Sequence, residues 1–150
     1  MAFWISTKSC TNVEGLSCCY RQWRATHNRC DLLHGAALSF KFVFECHRLD
    51  ENDWTFDDSY MIHIKEWLRT QFDHTTIVAA DDPELSMFKQ MADKNLCDLR
   101  ILSGVGCEKF AEHAFIHIMT WLHTQDMTHR VTIRSAECTE HDGNSALYVE

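Results

Sequence analysis

The stretch "ALSFKFVFEC", residues 37–46, decides the fold. Leu38, Phe40, Phe42 and Phe44 occupy alternate positions on one face, with Ser39, Lys41 and Glu45 on the other. Successive side chains on a strand point to opposite faces, so this alternation predicts a half-buried strand with a phenylalanine face turned to the core. A chain that places four large apolar groups on one strand face needs helices or a second sheet to cover them.

Working outward, residues 2–8 and about 15–22 carry short apolar or β-prone runs, one broken strand or two, with Asn12 and Gly15 at the break. After the strand, "LDENDW" supplies turn chemistry. From about residue 58 the apolar positions Met61, Ile64, Trp67, Leu68 and Phe72 then follow helical spacing, with Asp57, Asp58 or Ser59 available as the cap. A shorter helix is expected after Pro83. A second long helix follows "SGVG", marked by Phe110, Ala111, Ala114, Phe115, Ile118 and Leu122, with Glu108 in its first turn, where a carboxylate suits the helix dipole. The tail reads as two strands joined by Asp142-Gly143-Asn144, a hairpin. Strands and helices are thus segregated, which predicts an α+β fold whose antiparallel sheet carries helices on one face, not an alternating parallel sheet. At 150 residues one domain over 1–150 is expected.

Composition narrows the function. Apolar residues make up 45% and charged residues 24% of the chain, the balance of an ordinary folded protein. A formal charge of -8 argues against nucleic acid or an anionic membrane as partner, since both require a basic face. The beginning "MAFWISTKSC" has no basic flank followed by an apolar core, and no apolar run has spanning length, so a cytoplasmic protein is expected. In that compartment the eight cysteines are expected to be mostly free thiols.

Several residues have side chains suited to chemistry. Cys30 lies in "THNRCDLLHG", close in sequence to His27, Arg29 and His34, where a cationic or imidazole neighbour lowers a thiol's pKa. The same spacing also fits a buried structural cysteine. Asp73 and His74 follow the first helix directly; adjacent side chains point apart unless the backbone turns, so the pair is either a dyad or a helix stop with a solvated histidine. Glu137 and Glu140 flank Cys138, where a carboxylate can grip a guanidine-like edge through two parallel hydrogen bonds. His113 and His117, four apart on the second long helix, read as a solvated face in preference to a metal pair. Arg21, Arg24, Arg29, Lys8 and Lys41 make the N-terminal third locally basic, for an anionic ligand or for pairing with the chain's own carboxylates.

Five fragments in this order resemble the 6-pyruvoyl-tetrahydropterin synthase and 6-carboxytetrahydropterin synthase family. They are Cys30-x-x-x-His34-Gly35 entering a strand, "LDENDWTFD" at 49–57, "FDH" at 72–74, "GCEKFA" at 106–111, and Glu140 with Tyr148 near the end. "CCYRQWR" at 18–24 and "DDPEL" at 81–85 are similar to a bacterial subgroup. The resemblance implies a tunnelling fold, a four-stranded antiparallel sheet with two main helices on one face, whose subunits form a barrel as a homotrimer or hexamer. It further implies a lyase acting on 7,8-dihydroneopterin triphosphate to give a 6-substituted tetrahydropterin, of the 6-carboxytetrahydropterin synthase type in the queuosine pathway. The alternative is a tunnelling-fold homologue that binds a pterin-like or purine-like ring, or only assembles.

Position by position, the resemblance makes Cys30, Asp73 and His74 catalytic and gives Glu140 and Glu108 to substrate binding. It makes His34 a ligand of a catalytic zinc; His27 from the preceding loop, and Cys18 or Cys30 as a thiolate, are this sequence's substitutes for the donors the resemblance does not supply. Two positions depart from the family pattern. Tyr20 stands where the first zinc histidine is expected, and Ala36 stands where relatives have histidine or tyrosine. A catalytic zinc normally takes three protein ligands, so one retained histidine leaves the site short of donors.

Overall fold

The computed structural model describes residues 1–11, 15–141 and 143–150, so Asn12 at the first strand break and Asp142 of the C-terminal turn lie outside the described residues. In chain order the elements are β1 (Trp4–Cys10), β2 (Ser17–Tyr20), β3 (His34–Ala37), β4 (Ser39–Cys46), α1 (Tyr60–Phe72), β5 (Thr75–Ala79), α2 (Leu85–Asp93), β6 (Leu99–Leu102), α3 (Cys107–Thr124), β7 (Val131–His141) and β8 (Asn144–Val149).

The phenylalanine strand is the centre of the first sheet. β4 pairs antiparallel with β1 on one side and with β7 on the other, and β7 pairs antiparallel with β8, giving the order β1-β4-β7-β8. Leu38, Phe40, Phe42 and Phe44 are buried, as the alternation requires. On the opposite face Glu45 is enclosed by its partners, accepting from Arg134 Nη1 at 2.8 Å and lying 3.0 Å from His47 Nε2.

α1 buries Met61, Ile64, Leu68 and Phe72, and α3 buries Cys107, Phe110, Ala111, Ala114, Phe115, Ile118 and Leu122. Both stripes have the three-and-four spacing of one helix face, and both meet the phenylalanine side of the sheet. Phe72 sits at the junction, its ring 5.1 Å from Phe40 and 5.3 Å from Phe110. α3 is entered through Gly106, whose φ of 104° falls where a side chain is rarely tolerated, so the chain turns into the helix at a residue without a Cβ.

A second sheet completes the architecture, in the order β3-β2-β5-β6. β2 pairs antiparallel with β3 but parallel with β5, and β5 pairs parallel with β6. The expected four-stranded antiparallel sheet is present as the first sheet, and this second, mixed sheet with its two parallel pairings is an addition that the sequence did not indicate. β5, "TTIVA", is buried along its whole length, the pattern of a strand covered on both faces. The strand expected as one run from residue 37 is also divided. Residues 34–37 pair with β2 in the second sheet, residues 39–46 belong to the first, and Leu38 between them bonds its N–H to the Leu16 carbonyl at 2.8 Å.

The histidines of α3 correct another expectation. His113 and His117 do not form a solvated face; they lie half-buried where α3 meets α1. The His117 ring stacks on Trp67 at 4.0 Å, its Nε2 lies 3.2 Å from Nε2 of His63, and His113 Nε2 lies 3.0 Å from the Gln71 side-chain carbonyl. Burial, then the neighbouring His63, lower the His117 pKa from 6.5 to about 4. Between those values the unfolded chain binds the extra proton, so stability falls as pH drops from 6.5 towards 4. Urea midpoints measured across this window should slope downward with acid, and His117→Gln should flatten the slope. Phe72→Ala, which opens a cavity among three aromatic rings, should cost about 3–5 kcal/mol in the same assay at neutral pH.

Candidate active site

The site begins with the β2–β3 ladder. Tyr20 lies directly opposite His34, and Cys18 directly opposite Ala36. Facing residues in an antiparallel pair project to the same side, and so do residues two apart on one strand, so positions 18, 20, 34 and 36 share one face within about 4.5–8 Å of each other. The Tyr20 and His34 rings meet at 4.8 Å, and Tyr20 turns its other side edge-on to Phe110 of α3 at 5.1 Å.

Glu140, near the end of β7, points at this face. Its Oε1 accepts from the Tyr20 hydroxyl at 3.0 Å and lies 3.9 Å from His34 Nε2, while its Oε2 accepts from Asn144 Nδ2 at 2.9 Å. His34 Nδ1 lies 2.8 Å from the Leu32 carbonyl, which can only accept, so Nδ1 carries a proton and donates there, while Nε2 faces Glu140. Burial, then the Glu140 carboxylate, hold the Tyr20 phenol well above its ordinary pKa, and burial pushes the Cys18 thiol up to about 12. Both groups are therefore neutral at physiological pH. Cys107, at the start of α3, shares a hydrogen bond with Cys138, and that bond, with burial, keeps the Cys138 thiol protonated. Glu108, the next residue, is exposed in the first turn.

The residues expected to move protons lie elsewhere. Cys30 is an exposed free thiol in the turn after β2, its backbone N–H bonded to Asn28 Oδ1 at 3.1 Å. Asp73 and His74 do form a dyad, Oδ1 to Nδ1 at 2.8 Å, with the histidine side chain 88% exposed. The backbone turn that sequence reasoning required is present, since His74 has φ 54°, in the left-handed region. Its N–H is held by the Ser17 carbonyl at 2.6 Å, whereas the Cys30 carbonyl accepts from the Gln22 N–H at 2.8 Å. Residues 17 and 22 are five apart on an extended chain, about 16 Å at strand rise, so one subunit keeps Cys30 and the dyad at opposite ends of β2.

The Cys30 turn has an anchor that sequence reasoning missed. Arg21 donates from Nε to Asp82 Oδ2 at 2.9 Å, from Nη2 to Asp82 Oδ1 at 2.7 Å, and from Nη1 to the Asp31 carbonyl at 3.2 Å. The Asp82 side chain is fully enclosed and also accepts from the Glu84 N–H at 2.8 Å. Arg24 and Trp23 both reach Asp81. "RQWR" and "DDPEL" are thus two halves of one ionic clasp, a basic pair following β2 and an acidic pair following its neighbour β5. Of the two readings of this basic segment, pairing with the chain's own carboxylates is what Arg21 and Arg24 show, and Lys8 likewise pairs with Asp58 at 2.6 Å. Among the described residues Arg29 and Lys41 keep no ion pair.

The zinc ligand set is not assembled. His27 is exposed in the turn, and among the described residues no group of three or more His, Cys, Asp or Glu side chains converges as a metal site. Of the three ladder positions, Ala36 offers no donor, Tyr20 offers a neutral hydroxyl already donated to Glu140, and His34 alone offers a nitrogen. The residues present do not fit the metal.

Comparison with known proteins places this arrangement. The 6-pyruvoyl tetrahydropterin synthase profile matches residues 9–150, and the chain belongs to that family. Among solved structures, an uncharacterized protein from Wolinella succinogenes superposes with a TM-score of 0.81 at 16% identity, covering 100% of this chain and 99% of the other. The 6-pyruvoyltetrahydropterin synthase of Plasmodium vivax gives 0.69 at 12% identity over 98% of each chain. That of Caenorhabditis elegans gives 0.64 at 13%, over 100% of this chain and 97% of the other. No curated protein sequence matches. Among the described residues no helix is long and apolar enough to cross a membrane.

Asp82→Asn removes the charge that Arg21 grips inside the clasp. It should cost about 3 kcal/mol in urea unfolding and open the 22–33 turn to limited proteolysis at native pH. Asp81→Asn, at a half-exposed pair, should cost under about 1 kcal/mol.

Proposed function

We propose that the chain is a lyase of the 6-carboxytetrahydropterin synthase type, acting on 7,8-dihydroneopterin triphosphate within a barrel-shaped homo-oligomer. The observation that carries this reading is the Asp73–His74 dyad, formed by a left-handed turn and open to solvent, in a chain of this family that also exposes Cys30. Asp73 fixes His74 with Nδ1 protonated and Nε2 free to take or return a proton. Cys30 supplies the second proton carrier, its thiolate being the competent base. The distance between the two along β2 argues that the dyad of one subunit serves the Cys30 of its neighbour.

Glu140 binds the ring. Its two oxygens retain lone pairs beyond those used by Tyr20 and Asn144, enough to accept from the N–H groups of an aminopyrimidine edge. Arg29, adjacent to Cys30 and without an ion pair among the described residues, is the group for the triphosphate. The non-catalytic alternative is less favoured, because a scaffold has no use for a formed dyad and an open thiol.

Turnover of 7,8-dihydroneopterin triphosphate, followed by release of inorganic triphosphate and by the fluorescence of the oxidised pterin product, tests the reading. Cys30→Ala and His74→Ala should each lower kcat on the order of 10²–10⁴-fold. Arg29→Ala should raise KM with little change in kcat. Absence of any turnover by the native oligomer at high substrate would refute the assignment.

A further inference from the structure

We propose that this chain has replaced the family's zinc position with a closed Tyr20–Glu140–His34 contact, so that its ring-binding site works without a metal. The inference deepens the functional reading above and rests on it for the identity of the face, but its test does not require turnover.

The ladder geometry carries the argument. Positions 20, 34 and 36 stand on one face of the β2–β3 pair, Tyr20 opposite His34 and Ala36 two residues on. Three imidazoles at those positions would lie close enough to hold one ion at the usual 2.0–2.1 Å Zn–N distance, about what a catalytic site needs from the protein. In this chain only His34 remains, and it keeps the orientation of a ligand, with Nδ1 tied to the Leu32 carbonyl and Nε2 presented to the shared face. What that nitrogen faces is Glu140 Oε1 at 3.9 Å, an oxygen that already accepts the Tyr20 hydroxyl at 3.0 Å. The tyrosine ring fills the space between His34 and Phe110, packed against both. His34 and Glu140 alone would give an ion two protein donors, one of them engaged, and Ala36 adds none.

The substitution also ties the ring-binding carboxylate to the second sheet. Tyr20 belongs to β2 and Glu140 to β7, so the hydroxyl spans the two sheets at the point where a metal would otherwise organise them. The zinc's positioning duty passes to a hydroxyl–carboxylate hydrogen bond that is independent of metal supply.

The test is metal binding by the purified full-length oligomer, incubated with excess zinc, desalted and analysed by mass spectrometry of the element. The native protein should retain well under one zinc per chain. Tyr20→His with Ala36→His should retain about one, and its cobalt form should display the visible bands of tetrahedral coordination. Adding His34→Ala to that double variant should abolish both signals. Ala36→His alone, a change at a half-buried strand position that leaves the Tyr20 packing intact, should bind zinc at least tenfold more tightly than the native chain in chelator competition. A native protein that holds one zinc per chain and loses it on His34→Ala would overturn the proposal. So would a folded double variant that gains no metal, because positions 20 and 36 would then not be what excludes it. Turnover, measured separately, can fail without affecting either result.

Discussion

The hydroxyl of Tyr20 on the carboxylate of Glu140 is the contact on which the rest of the site depends. It is a single bond of 3.0 Å, but it joins β2 of one sheet to β7 of the other, and its aromatic stem fills the space between His34 and Phe110. A hydrogen bond to an ionised acceptor contributes more than one between neutral groups, about 1.5–3 kcal/mol, and here burial raises the cost of losing either partner. The same contact fixes where the Glu140 carboxylate sits and what His34 faces.

Around this contact the molecule separates its chemistry by strand geometry. The β2–β3 ladder presents one face to Glu140, the loop beyond β2 carries Cys30, and the opposite end of β2 holds the Asp73–His74 dyad through the Ser17 carbonyl. The buried Arg21–Asp82 fork keeps the Cys30 turn in place, and Asp81 takes the outer charges. In one chain Cys30 and the dyad stand at opposite ends of β2, which is why the proposed function links assembly to activity. The acidic surface is consistent with that arrangement, since most basic groups near the site are engaged by carboxylates of the same chain.

Much of this architecture was legible in the sequence, for identifiable reasons. Phe40, Phe42 and Phe44 alternate without interruption, so the central strand and its buried face followed directly, and Ile64, Leu68, Phe72, Phe110, Phe115 and Ile118 recur at helical spacing. β5 was missed because "TTIVA" follows a helix and precedes an acidic turn without alternation, the signature of a strand buried on both faces and thus of short apolar segments generally. The division of the 34–46 run at Leu38 has no local signal at all; it arises from a choice of partners, β2 for one half and β1 with β7 for the other. The α3 histidines misled because their polarity marks a solvated face only when no neighbouring helix brings flat aromatic rings such as Trp67 to cover them. Of the site, the residue types at 30, 73 and 74 could be read in order, but whether Asp73 and His74 meet and whether Cys30 is exposed depended on the backbone turn and stayed open in the sequence. The Tyr20–Glu140 bond and the Arg21–Asp82 fork could not, because they connect residues 120 and 61 positions apart.

The most direct measurement is a double-mutant cycle at that central bond. Tyr20→Phe, Glu140→Gln and the double variant, unfolded in urea at neutral pH with zinc chelated, isolate the coupling between hydroxyl and carboxylate from the packing of the ring. The account predicts a coupling of about 1.5–3 kcal/mol. Strict additivity of the two single changes would contradict it, leaving the hydroxyl and carboxylate as neighbours without a shared role.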